Sequence, residues 1–161
     1  MADTSILFAC KGNDHQNCID EALARAEKLC RQRQQRFTAI RRRVLELVWQ
    51  QHKPVGAYEL LEVLRQDGRT APPTVYRALE FLQQMGLVHR IASLNAFVGC
   101  AHPGKPHDGQ FLICESCKSI AELDVPAITA AIEQSATTAG FETRRHTVEI
   151  MGLCPDCRSR S

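Results

Sequence analysis

Four stretches of helical apolar spacing followed by two short β-like runs, a Pro- and Gly-rich break around residues 101–110, and a second half carrying duplicated Cys-x-x-Cys pairs predict an α+β chain. The predicted architecture is an N-terminal winged helix-turn-helix domain followed by a small C-terminal domain of strands and one helix. The signals divide the chain into a flexible N-terminal arm (1–18), a winged-helix domain (19–100), a hinge (101–110) and a C-terminal domain (111–161).

Residues 1–18 are polar and irregular, which predicts a frayed arm. From Ile19 to Arg33, Leu23, Ala26 and Cys30 recur at helical spacing. Thr38 offers an N-cap to a second helix with Ile40, Val44, Leu47 and Val48 on its inner face, broken by Pro54 and Gly56. A third helix aligns Ala57, Leu60, Leu61 and Leu64 and ends near Asp67-Gly68. Pro72-Pro73-Thr74 introduces a fourth, Thr74 to Met85, with Val75, Ala78, Leu79 and Leu82 buried and Gly86 in the left-handed closing position. The runs Leu87–Ile91 and Ala96–Cys100 then read as a β-hairpin, the wing.

The segment Ala101–Gln110 holds Pro103, Gly104, Pro106 and Gly109 and reads as the hinge. Beyond it, Phe111–Cys114 and Ser119–Leu123 are expected strands flanking a cysteine knuckle. Pro126–Ala139 is an expected helix stopped by Gly140, and Glu142–Met151 an expected third strand leading into the second cysteine pair.

Composition bounds the functions available. Hydrophobic residues at 44% and charged residues at 24% mark a globular chain rather than a disordered one. No apolar run reaches the roughly 18 residues that span a bilayer, and residues 1–18 lack a signal peptide's basic flank and apolar core. A cytoplasmic location without a membrane partner is expected. The net charge of +2 is unevenly spread: residues 19–95 carry 13 Lys/Arg against 8 Asp/Glu, and residues 96–161 carry 6 against 8. A basic first half suits nucleic acid, although charge alone is equally consistent with a solvated basic surface.

Eight cysteines without a secretory signal call for something other than disulfides. Cys114-x-x-Cys117 and Cys154-x-x-Cys157, with 36 residues between them, can converge at strand ends and close a tetrahedral Zn²⁺ shell with no open position. Such a site is structural, and a domain of about 50 residues needs a staple of this kind. The competing reading is a redox-active pair, which would make the chain a thiol sensor on the same scaffold. Cys10, Cys18 and Cys30 show no ligand spacing.

A second, mixed set is spread over four segments: His89 in the first wing strand, Cys100 ending the second, His107 in the hinge and Glu122 after the knuckle. Two imidazoles, a thiolate and a carboxylate suit Zn²⁺, and the thiolate disfavours Mg²⁺, Ca²⁺ and Mn²⁺. By residue type His102 could take the place of His107. No metal is expected on His52 or His146.

Thr74-Val75-Tyr76-Arg77-Ala78-Leu79 with Phe81-Leu82, Gly86-Leu87-Val88-His89, and Phe111-Leu112-Ile113-Cys114-Glu115-Ser116-Cys117 occur here in order. This succession resembles the ferric uptake regulator superfamily, and within it the zinc uptake regulator branch, from about Ala22 to Cys157. The resemblance implies a C-terminal dimerisation domain and two zinc ions per chain. Cys114, Cys117, Cys154 and Cys157 would hold the structural ion, and His89, Cys100, His107 and Glu122 the regulatory one. It further implies a zinc-responsive repressor that grips double-stranded operator DNA as a homodimer and controls zinc uptake genes, with no small-molecule ligand besides zinc. Tyr76 and Arg77 fall on its DNA-reading helix, which opens at Thr74, and Tyr58 on a position that approaches DNA. Arg77 would hold either a guanine edge or a phosphate, and Tyr76 either meets DNA or packs on its own helix. Arg41, Arg42, Arg43 and Arg69 are candidate backbone contacts.

Two departures bear on this. The His-Asp-His run usual in iron and peroxide sensors is replaced by Asp108-Gly109-Gln110-Phe111, which argues against those branches. The Thr-Pro-Gln-Arg turn common in the family is Thr38-Ala39-Ile40-Arg41, which loses a helix-starting proline but keeps the cap and the arginine. An enzyme is not expected. Gly-x-Ser-x-Gly, His-Glu-x-x-His and a phosphate loop are absent, and Leu153-Cys154-Pro155-Asp156-Cys157 departs from the Pro-Cys-x-x-Cys of zinc deaminases.

Overall fold

The computed structural model describes residues 15–160 apart from His52, Arg69 and Pro106. The expected arm over residues 1–14, with Cys10, lies outside the described residues, as do the expectations for His52 and Arg69. The chain divides into two compact units, separated between Lys105 and Pro106.

The first unit carries helices α1 (His15–Gln32), α2 (Ala39–Trp49), α3 (Ala57–Asp67) and α4 (Pro72–Gln84), with strands β1 (Val55–Gly56), β2 (Val88–Ile91) and β3 (Ala96–Gly99). Ile19, Leu23, Ala26 and Cys30 of α1 meet Val44, Leu45, Leu47 and Val48 of α2 in one core. Leu60, Leu61 and Leu64 of α3 and Val75, Ala78, Leu79, Phe81 and Leu82 of α4 complete it. The 3.6-residue period puts each apolar stripe on one face, so four helices share a single interior.

Helix α1 starts at His15, about a turn before the expected Ile19, so residues 15–18 belong to a helix and not to the arm. Thr38 occupies the N-cap of α2 with extended backbone, but its side chain makes no capping bond. Helix α4 begins at Pro72 rather than Thr74, because two prolines with preset φ suit the first helical positions. Its end follows the sequence signal. Gly86 has φ +69°, with Leu87 N–H donating to the Leu82 carbonyl and Gly86 N–H to the Gln83 carbonyl.

The wing has three strands in the order β1-β3-β2, not the two expected. Val55 and Gly56, the latter read from sequence only as a helix breaker with Pro54, pair antiparallel with Phe97 and Ala96. The β2–β3 turn uses a 3₁₀ turn at Ala92–Leu94 and left-handed Asn95, whose carbonyl side-chain oxygen accepts from Arg90 at 3.0 Å. At the base of β3 the indole of Trp49 lies so close that a Cβ on Gly99 would stand 2.2 Å from its ring.

The second unit holds β4 (Gly109–Cys114), β5 (Ile120–Leu123), α5 (Pro126–Thr138), β6 (Thr147–Gly152) and a short α6 (Pro155–Arg158). Its sheet runs β5-β4-β6, antiparallel between β4 and β5 and parallel between β4 and β6. The expected third strand is shorter than Glu142–Met151. Pairing is set by the six residues of β4, so Glu142–His146 stay outside the ladder. Gly109 and Gln110, read as hinge, are the first two residues of β4.

Gln110 is the one buried polar residue among the described residues. Its amide nitrogen donates to the Val125 carbonyl at 3.2 Å and to Thr129 Oγ1 at 3.1 Å, and Val125 N–H donates back to Gln110 Oε1 at 3.2 Å. A fully paired amide is the form in which burial is tolerated, and here it ties β4 to the start of α5. Edge strand β6 leaves Ile150 and Met151 each 43% exposed, and Leu153 and Phe141 are also open.

Candidate functional site

The parallel register of β4 and β6 brings the two cysteine pairs together. Cys114 ends β4 opposite Gly152, and Cys154 follows two residues later as the N-cap of α6. A tight turn with Lys118 at φ +61° returns the chain: Lys118 N–H donates to the Cys114 carbonyl, and Cys114 N–H to the Ser119 carbonyl. All four sulfurs lie within 4.8 Å of one another, and those of Cys117 and Cys154 are 3.7 Å apart. A tetrahedron with arms of about 2.3 Å has edges of about 3.8 Å, so the four free thiols have the spacing of a Zn²⁺ shell. A disulfide would need about 2.05 Å.

The surroundings favour the thiolate at Cys114 and Cys117. Cys114 is lowered to about 6 by the backbone N–H of Cys117 first and that of Cys154 next, the latter donating to Cys114 Sγ at 3.4 Å. The Ser119 hydroxyl, 3.0 Å from Cys117 Sγ, is the largest cause holding Cys117 below its ordinary value. At Cys157 the Ser116 hydroxyl pulls the same way, but the Cys154 thiol, burial and the remaining sulfurs outweigh it and push the group up to about 11. Several anionic sulfurs at this spacing repel, and a divalent cation is what lets them coexist. Ser116 and Ser119 were missed from sequence, although serines beside knuckle cysteines carry the signal: a hydroxyl there reaches a thiolate.

The mixed set is built as two pairs, one in each unit. In the first unit, β2–β3 pairing brings His89 and Cys100 to the same end of the wing, with ligand atoms within 4.8 Å. Cys100 is buried, and its N–H donates to the Leu87 carbonyl at 3.0 Å. In the second unit His107 Nε2 lies 2.7 Å from Glu122 Oε1, with side chains 9% and 7% exposed. Glu122 stands opposite Phe111 in the β4–β5 ladder, and His107 lies two residues before the start of β4. His102 is exposed, whereas His107 is the imidazole in contact with the acid. His146 stands apart from both sets, with Nδ1 3.4 Å from Asp108.

Helix α4 presents a polar face at its N-terminal end. Val75, Ala78 and Leu79 point inward, while Thr74, Tyr76 and Arg77 are exposed. Tyr76 is 58% exposed, which argues against a ring packed on its own helix, and Tyr58 in the first turn of α3 is 70% exposed. The arginines of α2 all have partners within the chain. Arg42 pairs with Glu27, and Arg43 with Asp67 at 2.7 Å and Glu46 at 3.0 Å. The Arg41 guanidinium lies 3.5 Å from the centre of the Phe81 ring and donates to the Arg36 carbonyl.

Residues 32–151 match the Ferric uptake regulator family. The chain belongs to that family. Among ferric uptake regulator family proteins it is 39% identical to the zinc uptake regulation protein of Escherichia coli over 139 residues, 85% of this chain and 81% of that one. It is similar to the solved structure of a zinc uptake regulator complexed with zinc and DNA, at 38% identity and a TM-score of 0.84, covering 88% of this chain and 96% of that one. The holo form of XcZur matches with 42% identity and a TM-score of 0.82, over 87% of this chain and 99% of that one. Among the described residues, no helix is long and apolar enough to cross a membrane.

Proposed function

We propose that this chain is a zinc-responsive transcriptional repressor that binds operator DNA as a homodimer when zinc is bound and controls genes of zinc uptake. The observation that carries this reading is the division of the mixed donor set: two donors stand on the wing and two on the C-terminal unit. Membership of a regulator family and similarity to a zinc- and DNA-bound relative support it. The protein acts in the cytoplasm and is not an enzyme.

Each chain takes two zinc ions. Cys114, Cys117, Cys154 and Cys157 hold the structural ion, and His89, Cys100, His107 and Glu122 hold the regulatory one. Bound zinc supplies a centre whose affinity depends on all four donors at once. His89 and Cys100 commit the wing, and His107 and Glu122 commit the C-terminal unit, so the intervening hinge loses freedom. A restricted hinge lowers the ordering cost of presenting two α4 helices at the spacing of two half-sites.

On DNA, Thr74, Tyr76 and Arg77 enter the major groove from the N-terminal end of α4, with Tyr58 on the flanking backbone. Arg77 has no other polar partner among the described residues and so is available for a guanine edge. A second copy covers the apolar rim of β6, where Ile150 and Met151 are exposed, with Leu153 just beyond the strand.

The test is binding to a duplex selected from a random pool by the zinc-loaded protein, with zinc and after chelation, in wild type and Cys100→Ser. We expect Cys100→Ser to keep its structural zinc and lose zinc-dependent binding by at least about tenfold. Unaltered zinc dependence in Cys100→Ser would overturn the reading.

A further inference from the structure

We infer that Arg41 is a positioning residue for the DNA-reading helix and not one of its phosphate contacts. The inference rests on the DNA-binding function proposed above. Three pieces of the first unit meet at one guanidinium: Arg41 sits in the first turn of α2, donates to the Arg36 carbonyl in the α1–α2 connection, and covers the Phe81 ring of α4 at 3.5 Å.

Phe81 lies four residues after Arg77, one turn along the same face of α4. Whatever fixes the Phe81 ring therefore fixes the rotation of the face that carries Arg77. Phe81 is 8% exposed and anchored in the core, so the guanidinium closes over a ring already immobilised from below. A planar cation over an aromatic face is held by the ring quadrupole, a geometry that lysine reproduces poorly. A second tie follows the same line: Arg33 Nη1 donates to the Met85 carbonyl at the C-cap of α4, at 3.4 Å. Arg33 and Arg41, on either side of the α1–α2 connection, thus grip α4 along its C-terminal half and leave its N-terminal end free to enter a groove.

A phosphate contact and a positioning role differ in what salt does. Each neutralised phosphate contributes about 0.9 to the slope of log K against log salt, whereas helix orientation contributes none. The experiment measures zinc-loaded wild type, Arg41→Ala, Arg41→Lys, Phe81→Leu and the Arg41→Ala/Phe81→Leu double variant on the selected duplex at several salt concentrations. Circular dichroism confirms that each is folded. We expect Arg41→Ala, Arg41→Lys and Phe81→Leu each to weaken binding about three- to tenfold with unchanged slope. The double variant is expected to lose little more than either single one. A slope reduced by about 0.9 in Arg41→Ala, with Arg41→Lys binding like wild type, would overturn the assignment. Failure of wild type to bind the duplex in zinc would instead defeat the DNA-binding reading, and the positioning role with it.

Discussion

Cys117 and Cys154, 37 positions apart in the chain, hold their sulfurs 3.7 Å apart. Parallel pairing of β4 with β6 produces this closeness, since Cys114 and Gly152 are register partners at the ends of the two strands. The C-terminal unit is therefore expected to depend on the ion that joins the sulfurs. Cys117→Ser should lower zinc content by one ion per chain and abolish cooperative unfolding of this unit, since apparent zinc binding coupled to folding is worth about 10 kcal/mol or more. Metal analysis with thermal denaturation checks this, and native-like stability would contradict it.

Arg77 is exposed on the polar face of α4, with Val75, Ala78 and Leu79 turned into the core. Arg77→Ala should cost about 1–3 kcal/mol on the selected duplex and much less on a duplex mismatched at the contacted guanine. Equal losses on both duplexes would assign Arg77 to a phosphate.

Trp49 packs on Gly99, the residue before Cys100, so closely that a Cβ would stand 2.2 Å from the indole. Gly99→Ala should destabilise the first unit by about 1–3 kcal/mol through overpacking. It should also weaken the sulfur-to-cobalt absorption of the regulatory site in the Co²⁺-substituted protein, because Cys100 moves with β3. Trp49→Leu in the same chain should restore both, and no recovery would show that the contact is not the cause.

Gln110 joins β4 to α5 through bonds to both backbone groups of Val125 and to the Thr129 hydroxyl. Gln110→Leu leaves these buried partners unpaired and should cost about 1–3 kcal/mol in denaturant unfolding of the C-terminal unit. An unchanged midpoint would show that water replaces the amide.

Much of the fold was legible because its signals are local. Gly86 and the stripe Val75, Ala78, Leu79 and Leu82 define α4 within a dozen residues, and the two cysteine pairs announce their own site. What escaped depends on partners distant in sequence. Val55–Gly56 is too short to show a period and becomes a strand only by pairing with β3. Gln110 lies in a Gly- and Pro-rich run that reads as hinge, and its burial follows from where α5 returns. Glu142–His146 carry β-compatible residues but find no rung, because β4 ends its pairing with β6 at Gly109. Residue chemistry alone left His102 and His107 open as donors, and the family resemblance favoured His107, which lies 2.7 Å from Glu122.

The central claim is that regulatory zinc and DNA favour one and the same posture of the chain. Thermodynamic linkage then requires reciprocity, since a factor by which zinc tightens DNA binding must also appear as a factor by which DNA tightens zinc binding. The decisive measurement is the zinc affinity of the His89–Cys100–His107–Glu122 site with and without the selected duplex, using a competing chelator and protein already loaded at the four cysteines. We predict tighter zinc binding in the presence of the duplex, by the same factor found for DNA. Identical zinc affinities in the two conditions would contradict the account.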